Sequence, residues 1–92
     1  MAITVNIPDT ATASIDNKDE ITINLRVQIM DGATVLGDTT LSVKVFLYTA
    51  NVRDYAVSQM IAEINRYKAL MTKNKTIQAA LTTFTAGVIA GV

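Results

Sequence analysis

Side chains able to carry chemistry are sparse in this chain of 92 residues. It has no His and no Cys. The usual general base, the commonest transition-metal ligand and the thiolate nucleophile are therefore missing together, as are disulfides and Cys-based zinc sites. What remains is Asp54, Glu63, the lysines, three tyrosines, and Ser14, Ser42 and Ser58. Asp54 reads as an acid in a first helical turn, where the helix dipole favours it. Glu63 stands at ordinary helix-surface spacing from Arg66 and Tyr67. No acid–base constellation can be named, so the sequence points away from an enzyme and calls for no cofactor.

Two charged groups invite a binding reading. Asp16, Asp19 and Glu20 lie close together, but they lack the Asp-x-Asn/Asp-x-Asn/Asp-Gly spacing of a calcium loop and read as a solvated turn, with no metal expected. Arg66, Lys68, Lys73 and Lys75 follow one another without an intervening acid, with Tyr67 interleaved. That stretch could contact phosphate in a nucleotide or nucleic acid. It is equally what a helix C-terminus collects, because its dipole favours cations. The chain as a whole carries eight basic and eight acidic residues, a balance that disfavours a dedicated nucleic-acid binder.

These groups must be positioned by a chain that changes character midway. Half of its residues are hydrophobic and 17% are charged, too apolar a mixture for disorder, and the length fits one small domain. No basic-then-apolar segment at the N-terminus resembles a secretory signal. Residues 1–50 carry three basic against six acidic side chains, a net −3, and residues 51–92 five against two, a net +3. From Asp38 to Ala86 there is neither Gly nor Pro. The pattern predicts a β half over 1–50 and a helical half over 51–92.

In the β half the apolar residues alternate. Ile3, Val5 and Ile7 form one such series, Ile21, Ile23, Leu25, Val27 and Ile29 a second, and Leu41, Val43, Val45 and Leu47 a third. Residues 9–20 are small, polar and turn-rich, and read as a loop. A two-residue turn at Asp31-Gly32 would pair Met30 with Ala33 and set Ile23 opposite Thr40, so the two apolar faces would disagree. A three-residue loop, a wider loop over 31–38, or a bulge near Gly37 restores the match. A hairpin with an irregular tip is expected.

In the helical half the period lengthens. Val57, Met60, Ile64, Tyr67 and Met71 follow 3-4-3-4 spacing, with Ala56 and Ile61 widening the stripe. Ile77, Leu81, Phe84 and Val88 follow 4-3-4 spacing. Between them lie five polar residues, Thr72 to Thr76, where Asn74 could close one helix and Asn74 or Thr76 cap the next; one uninterrupted helix is the alternative. A helix continuous from 52 to 90 would reach roughly 58 Å and leave its last part with no sheet beneath it. Residues 76–92 carry no charge. They are too short, and too rich in Thr, for an expected membrane span. Tight packing on a neighbouring helix through Gly87, Ala90 and Gly91 is the favoured reading.

The opening Ala2-Ile3-Thr4-Val5-Asn6-Ile7-Pro8-Asp9 resembles the start of small tailed-phage proteins that begin with a Val/Ile-Thr-Val/Ile-x-Ile-Pro-Asp strand. Residues 55–70 are loosely similar to the helix that follows in those proteins. The resemblance covers about a quarter of the chain and departs from the pattern over the hairpin of residues 21–48. It implies a small phage-encoded structural or accessory protein, and it carries over no functional residue.

The sequence thus predicts an α+β fold, a small antiparallel sheet of about three strands followed by one or two amphipathic helices. It predicts a homo-oligomer, because apolar stripes exceed what a short chain can cover. Val57, Met60, Ile64, Tyr67, Met71, Ile77, Leu81, Phe84 and Val88 are the expected interface residues. A virion component, residing in the particle or the host cytoplasm and touching other virion proteins, is the expected function. The alternative is an accessory protein that binds a nucleotide or host macromolecule through Arg66, Lys68, Lys73 and Lys75.

Overall fold

The computed structural model describes residues 2–92. The element order is β1 (Ile3–Asn6), β2 (Thr12–Asn17), β3 (Glu20–Asp31), β4 (Thr34–Phe46), α1 (Val52–Ala79) and α2 (Leu81–Gly91). All strand pairings are antiparallel. The fold is therefore α+β, with four strands followed by two helices.

β3 is the axis of the sheet. β4 pairs with it along its whole length, from Glu20 opposite Phe46 to Asp31 opposite Thr34. β1 and β2 share the other edge. β1 pairs with Gln28 to Asp31, and β2 with Glu20 to Asn24. The sheet is thus only three strands wide at any point, which agrees with the expected width. The expected loop over residues 9–20 is corrected by β2, which occupies Thr12–Asn17. Its polar composition reads as a turn, yet Ser14 and Ile15 pair with Thr22 and Ile21; of the expected loop, residues 9–11 lie outside the strands and Lys18 and Asp19 form the turn. There the Asp19 amide donates to Asn17 Oδ1 at 3.2 Å.

The β3–β4 hairpin resolves the register conflict with a bulge. Ile21, Ile23 and Leu25 face Val45, Val43 and Leu41, odd against odd. Nearer the tip, Met30 faces Val35 while Ile29 faces Gly37, so Leu36 is the extra residue. The tip itself is a tight two-residue turn over Gly32 and Ala33 rather than an open loop. Gly32 has φ 60°, which suits the first central position of a primed turn. The bulge near Gly37 was among the expected solutions; an irregular tip was not needed once it formed.

α1 lies on the odd face of the sheet, mainly over β4. Its 28 residues span roughly 42 Å, close to the roughly 40 Å of β3. Val27, Ile29 and Leu36 form the buried cluster, with Ile64, Tyr67 and Met71 packed on it. Val43, Val45, Ala56 and Met60 complete the core. The helix does not break at Asn74. It runs to Ala79 and is interrupted only at Ala80 (φ −106°, ψ 10°), after which α2 begins. The molecule measures 58 × 30 × 19 Å, and its radius of gyration is 17.7 Å, against about 12 Å for a compact chain of this length. α2 therefore prolongs α1 past the end of the sheet.

Candidate interaction surface

Three surfaces were open to functional use, and the fold treats them differently. The even-numbered face of the sheet is polar and satisfied by its own cross-strand partners. Arg26 donates to both carboxylate oxygens of Asp38, from Nε at 3.1 Å and Nη2 at 2.8 Å, and lies 3.5 Å from Asp9. Gln28 Nε2 donates to Asp38 at 3.0 Å, and Asn6 Nδ2 to Gln28 Oε1 at 2.7 Å. Hydrogen bonds from Arg26 and Gln28 hold the Asp38 carboxyl down at about 2, below its ordinary 3.8. The same pairing holds Arg26 charged. Ser42 donates to Asn24, and Thr22 to Asp16, further along this face. Among the described residues no group of three or more acidic side chains could hold a metal ion.

The hairpin tip is the second surface, and α1 covers it. Asn74 Nδ2 donates to the Leu36 carbonyl oxygen at 2.7 Å, and Lys75 Nζ lies 3.3 Å from Asp31 Oδ2. Both residues belong to the polar stretch expected to separate two helices. They instead stand one turn beyond Met71 and two beyond Tyr67, turned toward the hairpin. Tyr67 is pushed above the ordinary phenol range, first by desolvation and then by the Asp38 charge. Of the expected phosphate contacts, Lys75 is thus engaged with Asp31, and Arg66 pairs with Glu63. Lys68 and Lys73 have no ion pair among the described residues. The four cations do not converge on one unpaired cluster.

The third surface is apolar and uncovered. Because α1 sits over β4, the β3 side of the sheet is left partly bare. An open groove of about 300 Å³ runs there, with Ile23 and Leu25 of β3 and Ile7 and Ala11 of the β1–β2 connection on one wall. Ala56, Val57, Met60, Ile61 and Ile64 form the helix wall. No sequence motif marks this groove; Val57, read as part of the apolar stripe, and Ile61, read as widening it, are exposed along its helix wall.

The predicted interface residues divide sharply. Met60 is 7% exposed, and Ile64, Tyr67 and Met71 pack against the chain's own core. These four act within one copy, because the sheet lies beneath this part of the helix. Val57 is exposed at the groove. Ile77 (54%), Leu81 (42%), Phe84 (61%) and Val88 (51%) all remain exposed, and so does every other residue from 76 to 92. They lie about a third of a turn out of phase with the α1 stripe, since Ile77 follows Met71 by six residues, and beyond residue 75 nothing in the chain covers them. Among the described residues no helix is long and apolar enough to cross a membrane. Comparison with family models, curated proteins and solved structures gives no match.

Proposed function

We propose that this chain is a non-enzymatic structural or interaction protein that works as an assembly of identical copies. The observation that carries the reading is the bare α2 stripe, Ile77, Leu81, Phe84 and Val88, on an uncharged segment that projects beyond its own sheet. Burying an apolar surface gains about 25 cal/mol per Å², so a stripe of this size is an aggregation hazard unless a partner covers it. The resemblance of the opening strand to small tailed-phage proteins supports a role in a virion, exercised in the particle or the host cytoplasm, alongside other virion proteins. Static light scattering at micromolar concentration tests assembly directly. A mass at a multiple of 9.9 kDa is expected, and a clean 9.9 kDa species would overturn the reading.

A further inference from the structure

We propose that the groove between α1 and the sheet binds one unbranched alkyl chain with an anionic head, a medium-chain fatty carboxylate. The proposal does not rest on self-assembly and concerns a different surface from the α2 stripe. The lining is aliphatic throughout, with Ile23 and Leu25 facing Val57, Ile61 and Ile64, and Met60 between. No lining side chain carries a charge, an aromatic ring or a hydrogen-bonding N or O. The body of an occupant must therefore be apolar, because any polar group on it would be left unpaired. From Ala56 to Ile64 the helix wall runs about 12 Å, the extended length of roughly ten carbons. A volume of about 300 Å³ admits one such chain, not the two longer chains of a membrane lipid.

Charge distinguishes the two ends of the groove. Lys68 follows Ile64 by four residues and Ile61 by seven, so it stands on the groove side of α1, one turn further along. Lys75, seven residues beyond Lys68, reaches Asp31 at the end of β3, so this side of the helix faces β3. Apolar surface continues beneath Lys68 as well, because Val5 precedes Ile7 on the same face and pairs with Ile29. Lys68 is half-buried and has no ion pair among the described residues. A cation partly withdrawn from water gains from a ligand that brings its counter-charge. Arg53, at the opposite end, is almost fully exposed and has Asp54 at 3.7 Å. The head group therefore belongs at Lys68, and the tail runs back toward Ala56.

Calorimetric titration of the full chain with sodium decanoate, kept below its micellar concentration, tests the site, with decanol as the neutral match. Decanoate is expected to saturate at one per chain. Across the saturated acids, affinity is expected to rise about two- to fourfold per added methylene up to roughly ten carbons, then level off. Lys68→Met is expected to weaken decanoate about three- to tenfold and leave decanol unchanged, whereas Lys68→Arg keeps the affinity for decanoate. Ile61→Glu, at an exposed position and with circular dichroism unchanged, is expected to abolish binding of both. Decanoate affinity that survives either Lys68→Met or Ile61→Glu intact would overturn the proposal. So would uptake lost in the Leu81→Asp, Phe84→Asp variant, which would place the acid on α2. Light scattering on the same samples keeps the two readings apart. An oligomer that binds no decanoate would overturn this site and leave self-assembly standing, and a monomer that binds one would do the reverse.

Discussion

Asn74 Nδ2 donates to the Leu36 carbonyl oxygen at 2.7 Å, linking the latter part of α1 to the one residue that the β3–β4 ladder leaves out. A bulged residue has no cross-strand partner, and a partly buried carbonyl without a donor costs about 1–3 kcal/mol. The bulge corrects the register of the hairpin, and Asn74 satisfies what the correction leaves over. Asn74→Leu keeps the volume and removes the donor. It is expected to lower stability by about 1–2 kcal/mol in urea unfolding, with most of the loss absent in an exposed control such as Lys73→Leu.

Gly37 sets how closely the helix approaches the sheet. A Cβ there would fall 2.5 Å from both Cγ and Sδ of Met71, and closer still to Tyr67 Oη. Gly37→Ala is expected to cost about 1–3 kcal/mol, as overpacked cores do. In a Tyr67→Phe background, which removes the nearest atom, the same change is expected to cost less. A double-mutant cycle by urea denaturation measures the difference, and equal costs in both backgrounds would mean Tyr67 is not the obstacle.

The basic stretch makes a sharper test of role, because its members are used differently. Lys75 faces Asp31, whose other carboxylate oxygen is buried without a hydrogen-bond partner, while Lys73 is exposed. Lys75→Met leaves Asp31 without its cation and is expected to lower stability by about 1 kcal/mol. Lys73→Met is expected to change it by less than about 0.5 kcal/mol. Thermal unfolding of the two variants distinguishes them, and equal effects would place both lysines on the surface.

Much of the β half was legible because alternation is a strong signal when one face is buried. The odd-numbered apolar residues of β3 and β4 demanded a bulge, and Ile29, Gly37 and Val35 show where it fell. β2 was hidden because Thr12, Ser14, Asp16 and Asn17 are turn formers, and long-range pairing with β3 overrides that local preference. The helix boundary was hidden for a related reason. Asn74 and Lys75 look like a break between two apolar stripes, but they fill inward positions that meet a carbonyl and a carboxylate, and one-dimensional hydropathy scores such partners as exposed. Nothing in the sequence distinguishes Ala80 from its neighbours. The groove, too, depends on α1 settling over β4 rather than over the middle of the sheet, a placement fixed by Gly37, Tyr67 and Met71 together.

Acid should loosen the polar face of the sheet first. The Asp38 carboxyl is held at about 2, below its ordinary 3.8, so its ionised form is favoured in the folded chain. A lowered folded value means that the contribution is complete above about pH 4 and is lost as pH falls toward 2. The urea midpoint of the native chain is expected to fall across that window. Asp38→Asn, which cannot titrate, is expected to show a shallower fall there, with a lower midpoint at pH 7. Parallel curves for the two proteins would mean that the Arg26 pair contributes nothing to the acid response.

The α1 and α2 stripes follow one another along the helical half on different faces, and they are expected to answer substitution in opposite ways. Met60→Asp places a charge at a buried core position and is expected to unfold the chain, since an unpaired buried charge costs several kcal/mol. Leu81→Asp with Phe84→Asp alters only exposed positions, so secondary structure by circular dichroism is expected to be kept. What changes is the mass by light scattering, which should drop toward 9.9 kDa because the apolar stripe no longer matches an uncharged partner surface. A double variant that keeps both its fold and its oligomeric mass would show that α2 lies outside the contact between copies.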